Sequence, residues 1–545
     1  MLPRLTLPRL GLALPSGALA LVAALFVLPG LAGHDPWKSH DAIGLGIVHG
    51  MAASGELLVP RVAGLPWLQD PPLFHWVALG FGAALRPLLE FHAAARLASG
   101  AFMFLAFWML YAAARRWAPA EQGRSVAAAA VLLLLGSVGL IVHAHEALPE
   151  LASLAAICAA LAALPYAIRR PVSAGVAFGA ALGLAFLSSS WVAPGALAAA
   201  SLAGAFVSPQ WRQRRGAAFL VSALVALLLV GLSWPLALAL DSPHAFLEWW
   251  GIAWQPQGEP LSDLRSLVSI GSWFAWPAWP LALWAAWSLR GAWREPRLFV
   301  PACATLLMLG GFAVWGDARD VNLIPALAPL ALLAAQGVHG LRRGAAAALD
   351  WFGVLAFAFF AALIWLGYVA MMTGVPPKIA HNFAKTAPGF VPQFELLPFL
   401  FALALALGWL YVVFYAAASP LRSLLRWASG IVLLWGSFAM LLMPWADYQK
   451  SYRPVALQLR SKIPADARCI SGKSLGVTQS AALDYHAGIR TVPFDALRPR
   501  DCPLMLVQGR PRDEFDAPGA GWSKLADVGR PGDRSERYRL YAADK

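Results

Sequence analysis

The chain has 545 residues, of which 59% are hydrophobic and 13% charged, whereas soluble domains carry about a quarter charged residues. That balance excludes an ordinary water-soluble fold, and the formal net charge of +13 is no nucleic-acid footprint, because most of the arginines sit in short loops between apolar runs. Four cysteines are too few for a disulfide scaffold: Cys158 and Cys303 fall in apolar runs, while Cys469 and Cys502 fall in a polar segment and could pair in an oxidising compartment.

Apolar runs lie near 14–33, 72–89, 93–114, 124–142, 147–168, 173–190, 192–207, 217–240, 267–289, 298–315, 321–340, 350–373, 395–417 and 427–446. A run of about 20 apolar residues crosses a bilayer as a helix, since lipid offers the backbone no other hydrogen-bond partner. The first run follows Arg4 and Arg9, but Leu31-Ala32-Gly33 is a poor cleavage site, so it reads as a retained helix. The run 72–89 opens with Pro71-Pro72 and contains His75 and Arg86, and it reads as a helix lying along the interface. Setting it aside leaves thirteen of the fourteen runs as spans. With the N-terminus inside, Arg115, Arg116, Arg124, Arg169, Arg170, Arg212, Arg214, Arg215, Arg290, Arg294, Arg297, Arg342, Arg343, Arg422 and Arg426 then all fall on the cytoplasmic side. Counting 72–89 as a span reverses every basic loop from Arg115 onward.

The opposite face receives the first loop (34–92), the turns 143–147 and 316–320, the loops 241–266 and 374–394, and everything from about 447. In a bacterium that face is the periplasm and the membrane is the inner membrane. The expected fold is an α-helical polytopic membrane protein of about 13 transmembrane helices. Residues 1–446 form the membrane domain, and 447–545 form a small periplasmic α/β domain with strand-like pieces Leu504-Met505-Leu506-Val507 and Tyr538-Arg539-Leu540-Tyr541.

The first loop holds Asp35-Pro36-Trp37-Lys38-Ser39-His40-Asp41, then Ala53-Ser54-Gly55-Glu56 leading to Val59-Pro60, then Gln69-Asp70-Pro71-Pro72-Leu73-Phe74-His75-Trp76. Such a loop is longer than a connection needs, and a carboxylate held just outside a membrane helix can act as a general base or bind a divalent cation. For an arbitrary loop, solvated acids are the commoner explanation. His143 and His145 could support a metal, although satisfied interfacial histidines usually explain such a pair. No phosphate-cradling glycine loop, Cys/His zinc cluster or nucleophile elbow appears, and no inside loop could hold a nucleotide-sugar domain.

These loop motifs resemble the family of protein O-mannosyltransferases and lipid A aminoarabinose transferases, polyprenyl-phosphate-dependent enzymes of the GT-C fold. His143 to Glu150 resembles the family's second acidic site at a helix start. Arg319-Asp320 before Leu323-Ile324-Pro325 resembles its Arg-x-x-Tyr-x-x-Pro turn, and Asp447-Tyr448, Lys450 to Arg453 and Asp501-Cys502 resemble the tail of bacterial members. The chain departs where the family has Asp-Glu (here His40-Asp41), Glu-Lys (here Gln69-Asp70) and a second-site Asp (here Glu150).

The resemblance implies an inverting transferase that moves a sugar from a polyprenyl-phosphate donor to a lipid A, other glycolipid or protein acceptor, with no nucleotide cofactor and no nucleic-acid partner. It implies Asp41 as the base and Glu150 as a supporting acid. Lys38, His40, Asp70, Arg319 and Lys378 are placed as substrate-binding groups, and Gln69 at the position of a divalent metal ligand. The rival reading is a catalytically degenerate member or a protein that binds or transports a lipid-linked sugar; no internal repeat of the kind transporters show is present.

Overall fold

The computed structural model describes residues 16–208, 214–256, 258–316, 319–417, 419–465, 467–494, 502–512, 514 and 518–544. Arg4, Arg9, Arg212 and Asp501 lie outside these residues. Among the described residues, eight helices are long and apolar enough to cross a membrane: Phe91–Trp117, Pro149–Tyr166, Pro171–Ser188, Gly216–Asp241, Pro296–Trp315, Arg343–Thr373, Leu396–Tyr415 and Arg422–Leu441. Four shorter apolar helices, Gly17–Val27, Gly123–Leu135, Val192–Val207 and Leu327–Gln336, contribute to the same hydrophobic core.

Several others of the thirteen expected spans form shorter or interrupted apolar helices. The run 124–142 stops its helix at Gly136, and 267–289 is split into Pro260–Phe274 and Ala278–Ser288 around Pro277, which has no amide hydrogen to donate. The run 72–89 forms only Leu73–Leu85, too short to span, and packs on Phe91–Trp117 through Phe74 and Ala78. Close helix contact elsewhere depends on small residues. A Cβ on Gly179 would sit 1.9 Å from the Ala223 carbonyl oxygen, so Pro171–Ser188 meets Arg214–Gly231 backbone to backbone.

Beyond the bundle the chain forms the expected small α/β unit. Its sheet runs Val492–Pro493, Ile470–Lys473, Leu504–Gly509, Arg537–Ala543, Trp522–Val528; the first two pairings are parallel and the last two antiparallel. Helices Arg453–Lys462 and Val477–Ala487 cover one face, burying Val455, Leu459, Leu483, Leu504 and Leu540 together. Cys469 and Cys502 form a disulfide beside two paired strands.

This unit is docked on the first loop. Asp35, nearly buried, accepts from Ser451 Oγ at 2.6 Å and from Arg453 Nη2 at 2.5 Å. The Trp37 indole donates to Asp447 at 2.7 Å, and Lys38 Nζ donates to Glu536 at 2.7 Å. The loop helix His40–Ser54 lies against Val477–Ala487, where a Cβ on Gly46 would reach Ala481 Cβ at 2.9 Å. First loop and C-terminal unit therefore share one face of the bundle.

Candidate active site

Asp41 opens the loop helix and is fully buried. Arg96, also fully buried and 55 residues further along the chain, donates Nε to Oδ1 at 3.1 Å and Nη2 to Oδ2 at 2.8 Å. The Ala147 amide adds a donor to Oδ1 at 2.8 Å, and the Trp37 amide donates to Oδ2 at 3.3 Å. Burial works against the Asp41 charge, but the Arg96 guanidinium outweighs it and holds the carboxyl below the usual carboxylate range. Four donors leave this group no free role as a base. It instead pins the start of the loop helix to the segment entering helix Pro149–Ala163; a Cβ on Gly44 would lie 2.0 Å from the Ala147 carbonyl oxygen.

That pinning sets two helix starts side by side, and beside the second lies a cavity of about 160 Å³. Its polar wall is Gln69, Asp70, Glu150, Ser189, Ser190, Arg319 and Asn322; Trp191, Trp249 and Trp315 form much of the rest. Asp70 is steered by the Trp67 indole, which donates to Oδ2 at 2.8 Å. Glu150 is only 7% exposed, and its Oε2 has no hydrogen-bond partner. A buried carboxylate oxygen without a donor is costly, and this one belongs to a residue that lines the cavity. Two carboxylates and one guanidinium line the same cavity.

The other side of the same helix starts carries a histidine cluster. His143 Nδ1 meets Glu146 Oε2 at 2.6 Å and Nε2 meets Asp320 Oδ2 at 3.2 Å. Burial opposes its charge, yet hydrogen bonds to Asp320 and Glu146 push its pKa up to about 10. The clamp is an imidazolium between two carboxylates. His40, first residue of the loop helix, has its ring centroid 6.3 Å from that of His143.

Of the expected site residues, Gln69, Asp70, Glu150 and Arg319 line the cavity. Lys38 lies elsewhere, lining a polar recess of about 400 Å³ with Thr386, Lys450 and Arg530 between the loop and the C-terminal unit. Lys378 is exposed on helix Pro377–Thr386 and does not line the cavity. Gln69, expected at the position of a metal ligand, is exposed and lines the cavity beside the carboxylates of Asp70 and Glu150, an all-oxygen set of the kind hard divalent cations take. Among the described residues, the convergent His/Asp/Glu group is Asp35, Glu90 and His92. There Arg453 already occupies the centre, donating to Asp35 at 2.5 Å and to Glu90 at 2.9 Å.

No family model matches the chain. It is 29% identical over 337 residues to undecaprenyl phosphate-alpha-4-amino-4-deoxy-L-arabinose arabinosyl transferase 1 of Sodalis glossinidius (strain morsitans), covering 58% of either chain. The match thus spans less than two thirds of that relative's length. To the corresponding transferase of Pseudomonas aeruginosa (strain UCBPP-PA14) it is 27% identical over 449 residues, covering 78% of this chain and 75% of that one. The fold superposes on the crystal structure of ArnT from Cupriavidus metallidurans bound to undecaprenyl phosphate with a TM-score of 0.67 and 19% identity, over 96% of this chain and 97% of that one. The chain has the fold of that ArnT structure, and its sequence is similar to the two curated arabinosyl transferases.

Arg96 went unread in the sequence, and Trp249, which lines the cavity, reads from sequence as an aromatic belt as readily as a sugar platform. A lone arginine inside the apolar run 93–114 was a signal: a charge at membrane depth demands a partner, and only an acid brought in from a distant segment could supply one. The tryptophans carried no such signal, because the same residues suit an aromatic belt.

Proposed function

We propose that the chain transfers a sugar from a polyprenyl-phosphate donor to an acceptor on the periplasmic face of the bacterial inner membrane, and that the sugar is seated in the Glu150 cavity. The placement follows the expected topology, with the N-terminus cytoplasmic and the domain 447–545 periplasmic. The observation that carries the reading is the unpartnered Glu150 Oε2, buried among aromatic walls on the same face as the first loop. A recess in which aromatic walls meet convergent polar groups is a common design of a small-molecule site.

Charge refines the substrate. Asp70 and Glu150 set carboxyl groups in the cavity wall, acceptors suited to the ammonium of an amino sugar such as the 4-amino-4-deoxy-arabinose in the names of its relatives. Arg319 is the group placed for the donor phosphate, where a fixed cation stabilises the departing oxygens. Asp41 holds the helix start and takes no part in proton transfer. Against the reading of a degenerate or transport protein stands the cavity itself, which keeps a buried acid, a cation and an aromatic lining together. The test is release of polyprenyl phosphate from a polyprenyl-phosphate amino sugar by the purified protein. Release that outpaces an uncharged-sugar donor supports the reading; no release from either donor overturns it.

A further inference from the structure

Lys38, expected among the substrate-binding groups, lines a recess of its own, of about 400 Å³. Segments far apart in the chain wall it: the first loop, the end of helix Pro377–Thr386, the end of helix Met443–Lys450 and the turn from Arg530 to Asp533. The walls meet closely, since a Cβ on Gly532 would sit 2.2 Å from the Thr386 carbonyl oxygen.

The lining is unbalanced in charge. Lys38, Lys450 and Arg530 share it with a single acid, Asp533. That acid is engaged, because Oδ2 accepts from Arg530 Nε at 3.1 Å and Oδ1 from the Ser535 amide at 2.7 Å and hydroxyl at 2.6 Å. Lys38 donates to Glu536, but the same carboxylate also accepts from Gln479 and from the Tyr452 and Tyr538 hydroxyls. Lys450 differs: among the described residues it has no acidic partner, and its ammonium lies 4.5 Å from the centre of the Trp37 ring. The Trp37 indole is itself fixed on Asp447. Arg530 lies 4.5 Å over the Tyr452 ring and donates to the Lys450 carbonyl oxygen at 3.3 Å. A cation ending helix Met443–Lys450 suits that helix's dipole, which accounts for Lys450 alone. It does not account for three cations, each fixed by an aromatic face or a carboxylate, around one recess.

We propose that this recess binds a phosphate group, carried either by a free phosphate ion or by a lipid headgroup. Donors that arrive from three separate segments suit a group with several outward oxygens better than a planar carboxylate. The ammonium groups act as point charges, and Arg530 keeps N–H groups beyond those given to Asp533 and Lys450. A recess of this size also admits part of the group that carries the phosphate. Because its walls belong to both the first loop and the C-terminal unit, a bound phosphate ties one to the other. The site shares no lining residue with the sugar cavity and does not depend on the transferase reading.

The test uses the full chain in detergent at fixed ionic strength, with inorganic phosphate, phosphatidate and diacylglycerol as probes and chloride as the control. Phosphate or phosphatidate is expected to raise the melting temperature saturably over chloride, and diacylglycerol is not. Stabilisation by phosphatidate alone assigns the site to a lipid headgroup, and stabilisation by inorganic phosphate assigns it to the free ion; both support the proposal. Lys450→Gln is expected to weaken the apparent Kd roughly tenfold or more, and Lys450→Arg to retain most of the binding. Each value is a difference between probe and control in the same variant, so a general loss of stability does not mimic it. Arg319→Gln, which alters the sugar cavity, is expected to leave the effect in place. No stabilisation by either phosphate probe, an effect that survives Lys450→Gln, or one that disappears in Arg319→Gln overturns the proposal.

Discussion

Arg96 and Asp41 form a fully buried, two-pronged ion pair that joins the helix Phe91–Trp117 to the start of the first-loop helix. The pair also reaches the Ala147 amide and, through Arg96 Nη1, the carbonyl oxygens of Leu31 and His34. One contact thus fixes the end of the first helix, the loop helix and the entry to helix Pro149–Ala163 relative to one another.

Removing either partner strands a buried charge, so Arg96→Ala and Asp41→Ala should each destabilise the protein by about 3–5 kcal/mol. The double change Asp41→Leu with Arg96→Met should cost much less than the sum of the two. Thermal melting in detergent reads this directly, and additive losses would show that the two residues are not a pair.

Glu150→Gln keeps the shape of the cavity wall while removing its charge. Its melting temperature should match or exceed that of the unmodified protein, because a buried acid without a donor is itself costly. Sugar transfer should fall by roughly 10²-fold or more. A variant that melts early but turns over normally would assign Glu150 to structure.

The His143 clamp gives stability a pH dependence with a definite sign. Its pKa rises from the ordinary 6.5 to about 10 on folding, so the folded state holds a proton that the unfolded chain releases above about 6.5. The clamp contributes fully below that pH, and its contribution is lost as pH rises through about 10. His143→Asn should therefore lower the melting temperature at pH 6 and have little effect near pH 10.5. An equal effect at both would mean the imidazole is not held charged.

How much of this could be read in the sequence depends on the range of the interaction. Glu150, Asp70 and Arg319 were legible because each sits at an element end beside a local motif, and the structure brings all three to one cavity. The polar setting of Cys469 and Cys502 left their pairing open, and the structure joins them. The ion pair of Asp41 was not legible because its partner lies 55 residues away inside an apolar run, where composition shows lipid and hides packing. The ion pair of Lys38 was hidden for a similar reason, since Glu536 belongs to a segment 498 residues further on. Gly136 and Pro277 break apolar runs that hydropathy alone reads as continuous.

Docking of the C-terminal unit should depend on Asp35 and Arg453. Arg453→Ala leaves the nearly buried Asp35 without its guanidinium, and should make the region beyond Lys450 cleave faster under limited proteolysis with the bundle intact. Cys469→Ser with Cys502→Ser should destabilise the unit by about 2–4 kcal/mol, seen as the same cleavage appearing at lower temperature. Unchanged cleavage in Arg453→Ala would show that the ion pair does not hold the unit in place.

The most direct test of the central claim is the rate at which the purified chain, in detergent with membrane lipid, releases polyprenyl phosphate from a polyprenyl-phosphate amino sugar, set beside Glu150→Gln. Sugar transfer at the Glu150 cavity predicts acceptor-dependent release by the unmodified chain and a loss of roughly 10²-fold or more in the variant. Equal release by the two proteins, or none by the unmodified chain, would contradict it.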